Sequence, residues 1–129
     1  MAKKKIFLIE DDIPTIDVYK TGLGLAGFDV YPISSGEEAV RKLEEIDKAG
    51  GKGKPDLVLL DIVLPNMSGI EALEKIRKLK NVKDVKVLIL SNFSDEELER
   101  KGLLLKSEKY LMKTEYPPSE LVKLLKKKL

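Results

Sequence analysis

The chain has 129 residues, a length that suits one domain with a single buried core. Its 24 lysines and arginines nearly balance its 22 aspartates and glutamates, so the formal net charge of +2 favours no particular class of partner. The chain has no cysteine and no histidine, which excludes disulfides, thiolate nucleophiles, histidine-ligated zinc and histidine-based triads and leaves carboxylates, hydroxyls and lysines for any chemistry.

Five short apolar runs have the length of buried strands. Four of them show no alternation with polar residues, which indicates strands that are covered on both faces of a sheet. The second run contains Pro32, which indicates a strand at or near a sheet edge. In chain order, the runs cover residues 6–9, 29–33, 57–60, 87–90 and 110–112.

A segment with helical period follows each run. Asp12 and Pro14 are start signals for the first helix and Gly27 is a stop signal, while Ser35 and Glu38 have the spacing of a capping box at the second. The alternation predicts an α/β domain of (βα)5 type, with a parallel five-stranded sheet, right-handed crossovers and helices on both faces. The fourth helix is predicted over 98–105 and the fifth over 118–129. The apolar positions with helical period are Ile16, Tyr19, Leu23 and Ala26 in the first helix, Ala39, Val40, Leu43 and Ile46 in the second, Ile70, Leu73 and Ile76 in the third, and Leu121, Val122, Leu124 and Leu125 in the fifth.

The apolar runs are too short to cross a bilayer, which takes about 20 residues, and the basic N-terminus lacks the apolar stretch of a signal peptide. The Gly- and Lys-rich stretch 49–55 lies inside the alternation of strands and helices rather than between two domains. We therefore expect a cytoplasmic protein with one domain over residues 1–129 and no membrane contact.

Polar residues follow four of the predicted strands, at the edge of a parallel sheet where sites form. They are the run Glu10 to Asp12, then Asp61, Ser91 and Lys113. Crowded carboxylates repel one another unless a cation joins them, and Mg²⁺ binds through carboxylate and phosphate oxygens. With Mg²⁺ bound, one aspartate can act as a nucleophile toward phosphorus, while a lysine and a hydroxyl bind the phosphoryl oxygens.

Each of these residues also has a plainer explanation when it is taken alone. An aspartate after a strand commonly forms a turn, and the run Glu10 to Asp12 could be an acidic cap of the following helix. Lys113 could be exposed surface, and Ser91 could cap the helix that opens near Asp95. The functional hypothesis depends on the combination of four strand ends in one topology.

The segment 57–69, with the sequence LVLLDIVLPNMSG, resembles the phosphoacceptor signature of response-regulator receiver domains. Pro65 and Gly69 stand four and eight residues beyond Asp61, as in that signature. The resemblance extends over essentially the whole chain. It implies a flavodoxin/CheY-like, doubly wound sheet with the strand order 2-1-3-4-5.

The resemblance also implies roles for individual residues. Asp61 would be the phosphoacceptor, and Lys113 would contact the phosphoryl oxygens. Ser91 and Tyr110 would form the switch pair, in which a hydroxyl binds the new phosphoryl group and an aromatic ring turns inward. Mg²⁺ would be bound by Glu10, Asp11, Asp61 and the backbone carbonyl of Val63. Two positions depart from the family pattern: Asn92 follows Ser91 where Ala or Gly is usual, and Thr114 follows Lys113 where a proline on a cis peptide bond is usual.

The implied function is a phosphorelay switch without an output domain. Asp61 would accept a phosphoryl group from the phosphohistidine of a histidine kinase or phosphotransfer protein. The fourth helix, fifth strand and fifth helix would then change the surface presented to an unidentified downstream protein. Because residues 103–105 are all leucine, we also expect a homodimer or partner surface on this face; no direct contact with nucleic acid is expected.

Two other functions compete with the switch. A degenerate receiver would act only as a protein-binding module and would take no phosphoryl group. An aspartyl-phosphate phosphohydrolase would turn over small substrates, but such enzymes usually carry a second aspartate two residues beyond the nucleophile. That position is Val63 here.

Overall fold

The computed structural model describes residues 3–102 and 109–129. Five parallel strands form one sheet in the order β2-β1-β3-β4-β5, which confirms the predicted fold class and strand order. All five predicted strands are present, each extended by no more than one residue at either end. The strands are β1 Lys5–Ile9, β2 Asp29–Ile33, β3 Leu57–Asp61, β4 Val87–Ser91 and β5 Lys109–Met112.

The helices follow the strands one by one, as the alternation predicts. They are α1 Ile13–Leu25, α2 Gly36–Lys48, α3 Gly69–Arg77, α4 Asp95–Arg100 and α5 Pro118–Lys128. None of the helices in the described ranges has the combination of length and apolar composition that a membrane-spanning segment requires.

Helix α4 opens at Asp95, where a helix start is expected, but it ends at Arg100, inside the stretch 98–105 that is predicted as helix. The structure begins α4 at Asp95, because Ser94 and Glu97 form a complete capping box in front of it. Lys101 ends the helix, and Gly102 follows with a φ of 71°, in the left-handed region that favours glycine. Residues 103–105 lie outside the described part of the chain.

Two apolar layers cover the sheet, one on each face. Alternate residues of one strand enter different layers, since successive side chains of a strand point to opposite faces. Phe7 and Ile9 of β1 pack in the layer that contains residues of α2 and α3, whereas Ile6 and Leu8 pack in the layer that contains residues of α1 and α5. The central strands β1, β3 and β4 are buried on both faces, as their unbroken apolar sequences predict.

The strand register aligns the carboxyl ends of the four strands that precede the polar residues. Ile9 pairs with Leu60, Asp61 pairs with Leu90, and Ser91 pairs with Met112. The polar residues at these strand ends, which are Glu10, Asp61, Ser91 and Lys113, therefore reach the same edge of the sheet, although they are far apart in sequence.

Candidate functional site

Three carboxylates meet at this edge of the sheet. One carboxylate oxygen each of Glu10, Asp11 and Asp61 lies within 4.8 Å of the others. Glu10 and Asp61 are buried, with only 2% and 7% of their surface exposed, whereas Asp11 is exposed. The sequence prediction had placed these three side chains together, and the structure does bring them together.

The carboxylate of Glu10 is in an unfavourable environment. Its Oε2 is buried and has no hydrogen-bond partner within the described residues. Burial, and next the neighbouring Asp61, raise the pKa of Glu10 to about 8, although the ammonium of Lys113 acts in the opposite direction. A buried oxygen without a donor is costly, and a hard cation beside Asp11 and Asp61 would satisfy it. The residues present therefore fit a divalent cation.

Lys113 joins two of these carboxylates. Its Nζ lies 3.2 Å from Glu10 Oε1 and 3.4 Å from Asp61 Oδ2. The backbone N–H of Lys113 donates to the carbonyl of Ser91 at 2.8 Å, which fixes the start of the loop after β5 against the end of β4. All peptide bonds of the described residues are trans, so Lys113 reaches Asp61 with a trans bond to Thr114.

The second oxygen of Asp61 is also occupied. The backbone N–H of Val63 donates to Asp61 Oδ1 at 3.3 Å, while the side chain of Val63 is 55% exposed. Asp61 is thus held at the sheet edge by an N–H group on one oxygen and an ammonium near the other. Its carboxylate thus lies close both to one positive charge, on Lys113, and to the two further carboxylates of Glu10 and Asp11.

The hydroxyl of Ser91 is engaged with its own loop. Ser91 Oγ accepts a hydrogen bond from the N–H of Phe93 at 2.9 Å and lies 3.1 Å from the Phe93 carbonyl, to which it donates. Ser91 does not cap α4, because that role belongs to Ser94. Tyr110 is half-buried and packs against the apolar layer that α2 and α3 cover.

Asp12 stands apart from the carboxylate cluster. It is the N-cap of α1 and accepts a hydrogen bond from the N–H of Thr15 at 3.1 Å, as the start signals predicted. The hydroxyl of Thr15 and then its N–H hold the pKa of Asp12 below its ordinary value. The plainer explanation as a helix cap is therefore correct for Asp12, but it does not account for buried Glu10.

Sequence reasoning missed one polar contact beside the site. Tyr19 was predicted only as an inward position of α1, and its ring is indeed buried. Its hydroxyl, however, donates to the carbonyl of Tyr116, which lies 97 residues away in the loop that carries Lys113. Helical periodicity gives no signal for such a contact.

The family model for the response regulator receiver domain matches residues 6–126. The chain belongs to the response regulator receiver domain family. Members of this family take part in phosphorylation-based signalling in two-component systems, as switches rather than as enzymes of the ordinary kind, and they bind Mg²⁺ at an acidic pocket. The cluster of Glu10, Asp11 and Asp61 in this receiver domain is an acidic pocket of this kind.

Curated relatives of this receiver domain include two transcriptional regulators. The chain is 33% identical over 111 residues to the alkaline phosphatase synthesis transcriptional regulatory protein PhoP of Bacillus subtilis, covering 85% of this chain and 42% of the relative. It is 29% identical over 126 residues to the phosphate regulon transcriptional regulatory protein PhoB of Pseudomonas aeruginosa, covering 98% of this chain and 52% of the relative. The chain thus spans about half the length of the curated relatives it matches.

Solved structures with the same fold include receiver domains of several kinds. The receiver domain of a sensor histidine kinase from Pseudomonas aeruginosa, with a magnesium ion coordinated in its active-site cleft, has a TM-score of 0.80 and 25% identity and covers 98% of this chain and 97% of its own. A CheY-like receiver domain from Methanospirillum hungatei has a TM-score of 0.78 and 29% identity, with 98% and 94% covered. The chemotaxis protein CheY4 of Vibrio cholerae, at 24% identity, matches the fold with a TM-score of 0.80, with 99% and 100% covered.

Proposed function

We propose that this receiver domain is a phosphorelay switch in which Asp61 accepts a phosphoryl group from the phosphohistidine of a histidine kinase or phosphotransfer protein. The observation that carries the proposal is the environment of the Asp61 carboxylate. It lies between the N–H of Val63 and the ammonium of Lys113, and beside two further carboxylates.

The transfer forms one bond and breaks another. An oxygen of the Asp61 carboxylate attacks phosphorus, and the electron pair of the breaking P–N bond returns to the imidazole of the donor. Lys113 offers its positive charge to the phosphoryl oxygens, which removes part of the repulsion between the acceptor and an anionic donor. Hydrolysis by water releases inorganic phosphate and restores the carboxylate.

Glu10, Asp11 and Asp61 would hold Mg²⁺, with the backbone carbonyl of Val63 as a further ligand. When it is bound, the ion neutralises charge on the carboxylates and on the phosphoryl oxygens. The unpaired Oε2 of buried Glu10 supports this assignment. Until the cation binds, Lys113 balances part of the negative charge through its contact with Asp61.

Ser91 and Tyr110 are proposed as the switch pair. The Ser91 hydroxyl would exchange its hydrogen bond to the Phe93 carbonyl for one to the new phosphoryl group. Half-buried Tyr110 would then change its packing, and with it the surface of α4, β5 and α5 that a downstream protein reads. A homodimer through this face stays a prediction, because the leucines 103–105 on which it depends lie outside the described residues.

Intact-mass spectrometry after incubation with acetyl phosphate tests the proposal. We expect the wild type to gain one phosphoryl group only when Mg²⁺ is present, and Asp61→Asn to gain none. Asp84→Asn is the matched control, because Asp84 is an exposed aspartate before β4, at the opposite edge of the sheet, and it should behave as the wild type.

The other outcomes separate the competing functions. No gain of mass in the wild type would support a receiver that only binds a partner. Continuous release of phosphate from small phosphomonoesters, in large excess over protein, would support a phosphohydrolase. A gain of mass that persists in Asp61→Asn would place the acceptor elsewhere and contradict the proposal.

A further inference from the structure

The loop that carries Lys113 begins with hydrogen bonds to the ends of two strands. Lys113 donates its N–H to the carbonyl of Ser91, and the N–H groups of Glu115 and Tyr116 both donate to the carbonyl of Met112, at 3.0 and 3.1 Å. These bonds tie residues 113–116 to the ends of β4 and β5. The direction that the loop takes afterwards depends on contacts at Tyr116 and beyond.

Helix α1 provides those contacts. The phenol of Tyr19 is only 5% exposed, and its hydroxyl donates to the carbonyl of Tyr116 at 2.8 Å. Three residues later on α1, Gly22 lies against Pro118: an added Cβ at Gly22 would come within 2.5 Å of the Pro118 Cβ. Helix α1 therefore contacts the chain on both sides of Pro117.

Tyr19 also lies close to the chemistry of the site. It lines the same cleft as Asn92, Lys113 and Thr114. Burial, and then the charge of Glu10, raise the pKa of Tyr19 above its ordinary value, so its hydroxyl keeps its proton and stays a donor. The same side chain thus contacts the Lys113 loop through its hydroxyl and lies near enough to Glu10 for that carboxylate to raise its pKa.

We propose that Tyr19 is a positioning residue that holds the Lys113 loop against α1 and keeps the Lys113 ammonium directed at Asp61. The inference rests on the proposed phosphoryl transfer to Asp61. Lys113 is a long side chain with many rotamers, and its 3.4 Å contact with Asp61 depends on where its backbone starts. A shift of the loop by a fraction of an ångström would weaken the contact of the Lys113 ammonium with phosphoryl oxygens. The same shift would change the stability of the protein much less.

Tyr19 also packs in the apolar layer between the sheet and α1 and α5, so a purely structural role must be separated from positioning. Tyr19→Phe removes the hydroxyl and keeps the ring. Tyr31→Phe is the matched control: the hydroxyl of Tyr31 also makes one hydrogen bond, to Asp29 Oδ2 at 2.9 Å, but on the edge strand β2. Both variants lose one tyrosine hydroxyl and one hydrogen bond.

Three measurements follow from the proposal. The rate of Asp61 phosphorylation by acetyl phosphate at saturating Mg²⁺ should fall about twofold to tenfold in Tyr19→Phe, the range that one neutral hydrogen bond represents, and should not change in Tyr31→Phe. The affinity for Mg²⁺ alone should stay within about twofold of the wild type in both, because Lys113 does not bind the metal. The affinity for beryllofluoride with Mg²⁺, a mimic of the bound phosphoryl group, should fall in parallel with the rate.

A double-mutant cycle on beryllofluoride affinity tests whether Tyr19 affects phosphoryl binding through Lys113. If Tyr19 acts through Lys113, Tyr19→Phe should have no further effect in a Lys113→Ala background. Equal losses in both backgrounds, or a lower melting temperature with an unchanged phosphorylation rate, would show that Tyr19 is only structural and would overturn the inference while leaving the proposed function intact. A wild type that takes neither phosphoryl nor beryllofluoride would overturn both.

Discussion

The position of buried Glu10 costs stability, and the proposed cation site accounts for that cost. Its side chain is almost fully buried, one oxygen has no partner within the described residues, and Asp61 is a close neighbour of like charge. In an apolar core such a position would be filled by a hydrophobic side chain. A site for a cation needs the opposite arrangement, with carboxylates whose repulsion the ion relieves.

The stability of the metal-free protein should therefore fall as pH rises. The folded pKa of Glu10, about 8, is above its ordinary value of 4.5, so the stability that its proton provides is present below pH 4.5 and is lost as pH rises through 8. The chain has no histidine, so few other side chains titrate between pH 5 and 8. Glu10→Gln should be more stable than the wild type at pH 8 by about 1 kcal/mol or more, and similar to it at pH 5.

Urea unfolding in EDTA at several pH values measures this difference. Because glutamine is uncharged throughout, the profile of Glu10→Gln should be the flatter of the two. Parallel pH profiles for the wild type and the variant would contradict the raised pKa and the account of Glu10 that rests on it.

Ser91 offers a second prediction for a single residue. Ser91→Ala removes the acceptor for the Phe93 N–H and should cost about 1 kcal/mol of stability. Phosphorylation of Asp61 should persist, because the carboxylates and Lys113 are unchanged. The NMR shift changes that phosphorylation causes at Tyr110 should shrink strongly, whereas Ser91→Thr, which keeps the hydroxyl, should retain them. Wild-type shift changes in Ser91→Ala would remove Ser91 from the switch.

The loop between β3 and α3 depends on a glycine at the first position of the helix. An added Cβ at Gly69 would lie 2.5 Å from the carbonyl oxygen of Asp61 and 2.8 Å from the Cα of Ile62, and both obstacles are backbone. The N–H of Gly69 also donates to the Ile62 carbonyl at 3.0 Å. This close approach explains why glycine stands eight residues beyond Asp61: it lets α3 begin directly against the end of β3.

Gly69→Ala should therefore destabilise the protein by about 1–3 kcal/mol and lower the phosphorylation rate, because relief of the overlap moves the backbone of Asp61. Gly24 in α1 is the matched control: an added Cβ there meets nothing within 4 Å. Gly24→Ala should stabilise α1 by up to about 1 kcal/mol and leave phosphorylation unchanged. Chemical denaturation of both variants checks the comparison, and equal effects at the two glycines would contradict it.

The elements differ in how far their sequences predict them. Unbroken apolar runs marked the central strands within one residue, since burial on both faces leaves few alternatives. The fourth helix opens near Asp95 as expected, but its end was predicted too late because the apolar residues up to 105 were weighed above Gly102, a stop signal that the sequence contains. Contacts across the fold, such as that of Tyr19 with Tyr116, depend on how helices pack and have no local signal.

At the scale of the whole molecule, the parallel sheet is what converts scattered residues into a site. Parallel strands with right-handed crossovers bring all carboxyl ends to one edge. Glu10 and Lys113 are separated by 103 residues and yet lie 3.2 Å apart. The convergence of the strand-end residues was therefore predictable from the sequence. The unpaired oxygen of Glu10 and the hydrogen bonds of Ser91 to its own loop could be seen only in the packed structure.

Binding of a cation to this edge should stabilise the entire fold, because the carboxylates converge only in the folded state. At a Mg²⁺ concentration a hundredfold above its dissociation constant, the gain is about 2.7 kcal/mol, which for a chain of this size raises the melting temperature by roughly 10 °C. Asp11→Asn removes an exposed candidate ligand without disturbing the core, so its melting temperature should rise much less on adding Mg²⁺. Thermal unfolding with EDTA, with Mg²⁺ and with NaCl of equal ionic strength separates specific binding from screening. A rise in Asp11→Asn as large as in the wild type would exclude Asp11 as a ligand, while Asp84→Asn should respond as the wild type does.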